Sequence, residues 1–173
     1  MQETGGSEAS VAADAAPAEQ PGTIIRAIDR PGRMVVKGQL PPDCTEVIMT
    51  NGLDDQVLMM TRPVWSAFAA GIAAMNQSDP DVDDLGRFLI DLAERCPVDS
   101  STGRVRIPEA IRQTAGLDKP GVEAQLLRRG EGRFEIWSVE RFRAVRAERT
   151  RTMRETLRAA AQGPAPAAAA ASG

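Results

Sequence analysis

A short pattern occurs twice in this chain, and that duplication constrains the fold more than any other feature. Residues 28–36 read Ile-Asp-Arg-Pro-Gly-Arg-Met-Val-Val, and residues 98–107 read Val-Asp-Ser-Ser-Thr-Gly-Arg-Val-Arg-Ile. Each copy has an apolar residue, an Asp, a Gly turn, an Arg and then a run rich in β-branched residues. The likeness continues downstream, where Val47-Ile48-Met49 through Trp65 parallels Val122 through Trp137 and Phe142. Such a repeat predicts one pseudo-symmetric unit that shows two similar basic loops. Two loops of that kind suit a polymer with regularly spaced charge, and DNA is the obvious one.

The formal net charge of -3 argues against nucleic acid only as an average. Residues 1–22 carry Glu3, Glu8, Asp14 and Glu19 with no Lys or Arg, so without them the remainder stands at -3 + 4 = +1. Arg26, Arg30, Arg33 and Lys37 outweigh Asp29, and residues 139–158 carry seven Arg against Glu140, Glu148 and Glu155. Local basic patches, not the total, decide phosphate binding.

Catalysis has little to work with. The chain has no histidine, so it has no histidine base and no Ser-His or Cys-His pair. It contains no G-x-G-x-x-G and no G-x-x-x-x-G-K-[ST]. The acidic run at 79–84 looks like a calcium loop, but Asp84 occupies the required Gly position and Ile90 that of the closing Glu. Acids in the first turn of a helix explain it. Two cysteines, Cys44 and Cys96, cannot make a tetrahedral zinc site without histidine, and they read as small buried thiols in a reducing cytoplasm. No metal, cofactor, small-molecule substrate or enzymatic activity is expected. The N-terminus has no apolar signal core, and no apolar run reaches the roughly 18 residues of a membrane span.

Residues 1–22 read as a disordered acidic tail and the Ala/Pro-rich residues at the C-terminus as low complexity. The first half-repeat covers 23–75. Strands are expected at 23–28 and 33–37, paired as a hairpin about Pro31-Gly32, then at 46–50 and 56–61, followed by a helix over 63–75. A connecting amphipathic helix falls in 76–96. Ser78 or Asp79 is its expected cap, and Val82, Leu85, Leu89 and Leu92 form its buried stripe. The second half-repeat covers 97–146. It has strands from Val98 and over 104–107, a short helix from Pro108 to Gly116, and strands over 122–127 and 133–137. A final helix is capped by Ser138. Residues 147–173 extend that basic helix into the tail, with its distal end expected to project or fray. Trp65 and Trp137 sit beside helix starts in apolar surroundings and read as core.

The Gly-Arg turns are the chemical signal. An Asp placed four or five residues before the Arg can bond turn amides or hold the guanidinium in a fixed pose. A fixed guanidinium binds phosphate, or guanine O6 and N7, with two parallel hydrogen bonds.

The run Ile28-Asp29-Arg30-Pro31-Gly32-Arg33, with Asn51-Gly52-Leu53-Asp54 and Trp65, resembles the first half of the MraZ family. Gly103-Arg104-Val105-Arg106-Ile107-Pro108, with Arg112, Ala115-Gly116-Leu117 and Phe134-Glu135-Ile136-Trp137-Ser138, resembles its second half. The likeness spans about residues 24–146. It implies an α+β fold: a double swapped-hairpin, AbrB-type β-barrel built from two half-repeats with attached helices. It implies a ring-shaped homo-oligomer, cytoplasmic and nucleoid-associated. Such a protein is expected to bind double-stranded DNA at promoter direct repeats of the division and cell-wall gene cluster and to regulate transcription there. The family's Asp-x-x-x-Arg motif marks the DNA-facing loop. It carries over to Asp29 and Arg33, and to Arg104 in the second half, where the family's Asp falls at Ser100 and Asp99 lies one position earlier. Two prolines in Lys37-Gly38-Gln39-Leu40-Pro41-Pro42 disfavour the short helix the family has there.

Arg33 and Arg30 are therefore the candidate primary DNA contacts, with Arg26, Arg104 and Arg106 in support. Asp29, Gly32, Asp99 and Gly103 are the candidate loop-orienting residues. The competing class is an oligomeric scaffold or protein-interaction module on the same fold, because fold does not fix function. Steep salt dependence of DNA binding separates the two.

Overall fold

The computed structural model describes residues 23–75 and 80–162. The expected acidic and low-complexity tails, the cap at Ser78 or Asp79, and the side chains of Val82 and Leu85 lie outside the described residues. The elements run β1 (Thr23–Ala27), β2 (Arg33–Val35), β3 (Glu46–Asn51), β4 (Val57–Thr61), α1 (Arg62–Met75) and α2 (Pro80–Asp91). They continue β5 (Glu94–Asp99), β6 (Arg104–Arg106), α3 (Glu109–Thr114), β7 (Glu123–Gly130), β8 (Arg133–Ser138) and α4 (Val139–Gln162).

The eight strands of the described residues join one antiparallel sheet in the order β1-β7-β8-β4-β3-β5-β6-β2. The expected hairpin between β1 and β2 does not form. Its turn does: the Gly32 amide donates to the Asp29 carbonyl at 2.9 Å and the Asp29 amide to the Arg33 carbonyl at 3.1 Å. Beyond that turn the strands part, and each pairs with the second half. β1 lies along β7 from Thr23↔Leu127 to Ala27↔Glu123, and β2 lies along β6. A lone ribbon would leave Ile28, Met34 and Val36 wet, whereas the interleaved halves bury all three almost completely. The turn at 28–32 thus joins the two ends of the strand order, and the sheet nearly closes into a barrel.

Alternation sets the layers. Val47 and Met49 of β3, Val57 and Met59 of β4, Leu126 of β7 and Phe134 and Ile136 of β8 fill the interior, with Ile111, Ala115 and Leu117 from α3 and its exit turn. The opposite face of β4, Leu58 and Met60, is buried as well. It packs in a second cluster with Ile72 of α1 and Leu89 of α2, flanked by Val64, Trp65 and Phe68. β4 is therefore buried at every position. Trp137 is core, while Trp65 is only half-buried at the rim of the smaller cluster. Cys96 is buried and Cys44 half-buried, and both are free thiols.

Two boundaries depart from the sequence reading. Helix α2 ends at Asp91, and β5 starts at Glu94, four residues before the expected strand at Val98. β5 covers the edge of β3 through Val47↔Cys96 and Ile48↔Arg95, an edge that would otherwise lack a partner. Leu92 falls just past the helix and is 49% exposed; Leu89 is buried as expected. No helix forms between β2 and β3, in keeping with Pro41 and Pro42. Ser138 caps α4 by accepting the Arg141 amide at 3.1 Å, and the helix runs unbroken and exposed to Gln162 rather than fraying near Arg146.

Candidate nucleic-acid interface

The β2–β6 pair places the two copies of the repeated motif side by side. Arg33 stands opposite Arg106, Met34 opposite Val105 and Val35 opposite Arg104. Met34 and Val105 point into the core, so Arg33, Arg104 and Arg106 share the outer face. Three guanidinium groups on a short two-stranded ribbon form a compact cationic surface.

The first loop is rigid in a specific way. The Asp29 carboxylate holds Arg33 at two points, accepting from its amide at 2.7 Å and from its Nε at 2.9 Å. Gly32 takes φ +83°, a conformation that suits glycine. Its carbonyl accepts the Ile107 amide at 2.9 Å, which fixes the first loop to the second half. Desolvation pushes the Asp29 carboxyl upward. The hydrogen bonds from the Arg33 amide and guanidinium, with the charges of Arg33 and Arg104, outweigh that push and hold it below the ordinary carboxylate range.

The second loop uses its Asp differently. Asp99 Oδ1 accepts from the Ser101 amide at 2.9 Å, the Ser101 hydroxyl at 2.6 Å and the Thr102 amide at 3.1 Å. It caps the turn and makes no hydrogen bond to Arg104. The Ser101 hydroxyl is the largest cause, with the Thr102 amide next, of a carboxyl held well below the usual range. Gly103, at φ +63°, sends its amide to the Asp99 carbonyl at 2.7 Å and accepts the Val36 amide at 2.8 Å. The displaced Asp thus changes its partner: Asp29 orients an Arg, and Asp99 orients a turn.

Of the remaining candidates, Arg30 is exposed on the first turn, and neither it nor Arg104 or Arg106 has an ion pair among the described residues. Arg26 stands apart. It lies on β1 opposite Ala124, outside the β2–β6 pair, and its Nη1 donates to the Ile25 carbonyl at 2.9 Å.

Two neighbours of the loops were not singled out as site residues from the sequence. Arg112 packs under Gly32, and Lys37 packs against Gly103. A signal for Arg112 exists: it shares the Ile111 and Ala115 face of a short helix, where a charge is out of place. None marks Lys37, whose position follows from non-local pairing.

Among the described residues no group of three or more His, Cys, Asp or Glu side chains is arranged to hold a metal ion. No helix among them is long and apolar enough to cross a membrane.

The chain is similar to proteins named transcriptional regulator MraZ. It is 36% identical over 128 residues to that of Solidesulfovibrio magneticus, across 68% of this chain and 78% of the relative. Identity is 28% over 125 residues to that of Herpetosiphon aurantiacus, across 72% and 84% of the two chains. It is 27% over 128 residues to that of Ligilactobacillus salivarius, across 73% and 86%. No protein-family model matches the chain.

Proposed function

This chain belongs to the MraZ family, and from that premise we propose that it is a DNA-binding transcriptional regulator. The observation that carries this reading is the register Arg33↔Arg106 and Val35↔Arg104, which brings the Arg residues of both repeats onto one outer face. In this reading Arg33 is the primary contact, held for bidentate recognition by Asp29. Arg30 at the turn tip joins it, and Arg104, Arg106 and, from the neighbouring strand pair, Arg26 take phosphates. Asp99, Gly32 and Gly103 shape the loops. The interleaving of β1 with β7 and β2 with β6 supports a swapped-hairpin barrel of the AbrB type.

The protein acts on this proposal as a homo-oligomeric ring on promoter direct repeats of the division and cell-wall gene cluster, in the cytoplasm at the nucleoid. One loop pair on one site gives modest affinity. Several equivalent pairs on repeats spaced near one helical turn, about 34–36 Å, convert later contacts into intramolecular ones.

The test is binding of the purified protein to DNA from upstream of its own gene, against scrambled DNA, across a salt series. The expected result is specific binding whose log affinity falls with log salt by about 0.9 per phosphate contact. Arg33→Ala is expected to lose roughly 1–3 kcal/mol per bidentate contact. Salt-independent or absent binding, with Arg33→Ala indistinguishable from wild type, would return the protein to the scaffold class.

A further inference from the structure

Arg112 is a buried cation with no ion-pair partner among the described residues. It lies on α3 with 9% of its surface exposed. Its Nε is sealed from solvent and has no acceptor. No carboxylate among the described residues pairs with it. Buried guanidinium groups are ordinarily matched by an anion, because an unmatched one forfeits its hydration for nothing.

The position of that guanidinium is informative. A Cβ on Gly32 would sit 2.7 Å from Arg112 Cζ and 2.8 Å from its Nε, so the group lies directly against the first basic loop. Arg33 follows Gly32 in the chain, and Arg106 precedes Ile107, whose amide bonds the Gly32 carbonyl at 2.9 Å. Arg33 and Arg106 thus flank the turn on its outer face, and Arg112 lies against the same turn from beneath, with no counter-charge among the described residues. Glycine at 32 leaves room for the guanidinium where any side chain would displace it.

We infer that Arg112 is a ligand for a backbone phosphate of bound DNA, forming an anion cradle with Arg33 and Arg106 around Gly32. The inference rests on the DNA-binding reading above. It adds a cation from inside the fold to a set drawn from the surface. Among the described residues nothing neutralises this buried charge, and DNA supplies the anion. Stability and affinity therefore oppose each other at this residue.

Arg112→Met keeps the length of the stem and removes the charge. Full-length Arg112→Met is expected to melt at or above wild type and to bind the promoter DNA about tenfold more weakly. Its log–log salt slope is expected to be shallower by about 0.9. A variant equal to wild type in affinity and slope overturns the inference, whatever its melting temperature. Should the Met variant not fold, Arg112→Lys carries the test: it keeps the charge but not the fork, so weaker binding at unchanged slope supports the inference and unchanged affinity overturns it. Melting in inorganic phosphate separates the sources. A phosphate-dependent rise in wild type, absent in Arg112→Met with DNA slopes equal, assigns the residue to free phosphate and overturns the DNA assignment. Arg33→Ala is measured alongside. Wild-type binding that is lost in Arg33→Ala but intact in Arg112→Met sinks this inference alone, whereas no wild-type binding sinks the DNA reading itself.

Discussion

Arg33 and Arg106 are directly opposed across the β2–β6 ladder, two like charges on the outer face of one strand pair. Asp29 answers Arg33 at 2.9 Å, and Arg106 has no ion-pair partner among the described residues. Like charges opposite each other in a sheet destabilise it. On the proposed DNA-binding reading, such a pair is poised for an anion. The same geometry that costs stability in the free protein becomes favourable when a phosphate lies between the two groups.

Replacing Arg106 exposes that trade. Arg106→Thr removes the repulsion and introduces a residue suited to a strand. The free protein is expected to gain roughly 0.2–1 kcal/mol in urea unfolding, and DNA affinity is expected to fall. A variant that loses stability while binding DNA normally would show that Arg106 serves the ladder and not the ligand.

The two loop carboxylates give the protein an acid-sensitive edge. Asp29 and Asp99 both titrate below the ordinary range in the folded chain. An unfolded Asp titrates near 3.9. The folded state therefore binds fewer protons in this window. The stability these groups contribute is present above about pH 4 and is lost as pH falls toward their folded values. Melting temperatures from pH 6 to pH 2.5 are expected to drop for wild type below pH 4. The drop should be shallower for Asp99→Asn, which keeps an acceptor for the Ser101 and Thr102 amides. Parallel curves for the two proteins would count against Asp99 as the titrating cap.

The parts of this fold written in local pattern were legible in the sequence. The Asp and Gly of each turn, the Ser138 cap, the α1 start at Arg62-Pro63 and the β7–β8 pair all follow from short-range chemistry. The partner of β2 did not, because nothing within residues 28–37 distinguishes a neighbour in the same ribbon from one seventy residues away. Glu94-Arg95-Cys96-Pro97 hid a strand for a related reason. Its charges and its proline spoil the alternation, and only the vacant edge of β3 recruits it. At the candidate interface, Arg33, Arg104 and Arg106 were readable from the repeat. Their placement on one ribbon, and the seat of Arg112 beneath Gly32, required the tertiary pairing.

The two turn glycines differ in what they protect. A Cβ on Gly103 would meet the Lys37 Cβ at 2.5 Å and the Lys37 Cα at 3.1 Å, so relief requires the backbone to move. At Gly32 the obstacle is the Arg112 guanidinium, the far end of a long side chain. Both sites also hold positive φ. Gly103→Ala is expected to cost about 2 kcal/mol or more, and Gly32→Ala less in stability but, on the proposed role of Arg112, more in DNA affinity. Urea midpoints and DNA titrations of the two variants check the ordering, and the reverse ordering in both measurements would refute it.

Helix α4 is tethered to the barrel through its N-terminal half. Ser138 caps it, and Arg141 and Arg149 pair with Asp55 and Asp54 at the β3–β4 turn. Beyond that point Met153 and Leu157 are each more than half exposed. Ser138→Ala is expected to cost about 1 kcal/mol through the lost cap. The exposed ion pairs are worth far less, about 0–1 kcal/mol each, so Asp54→Asn with Asp55→Asn should barely move the melting temperature. Their effect is local. Amide exchange over residues 141–149 is expected to quicken in the double variant, while the exposed residues 153–162 exchange fast in both proteins. If protection over 141–149 survives the loss of both aspartates, the Phe142 ring, edge-on to Trp137 at 5.7 Å between centroids, holds the helix and the ion pairs are incidental to its docking.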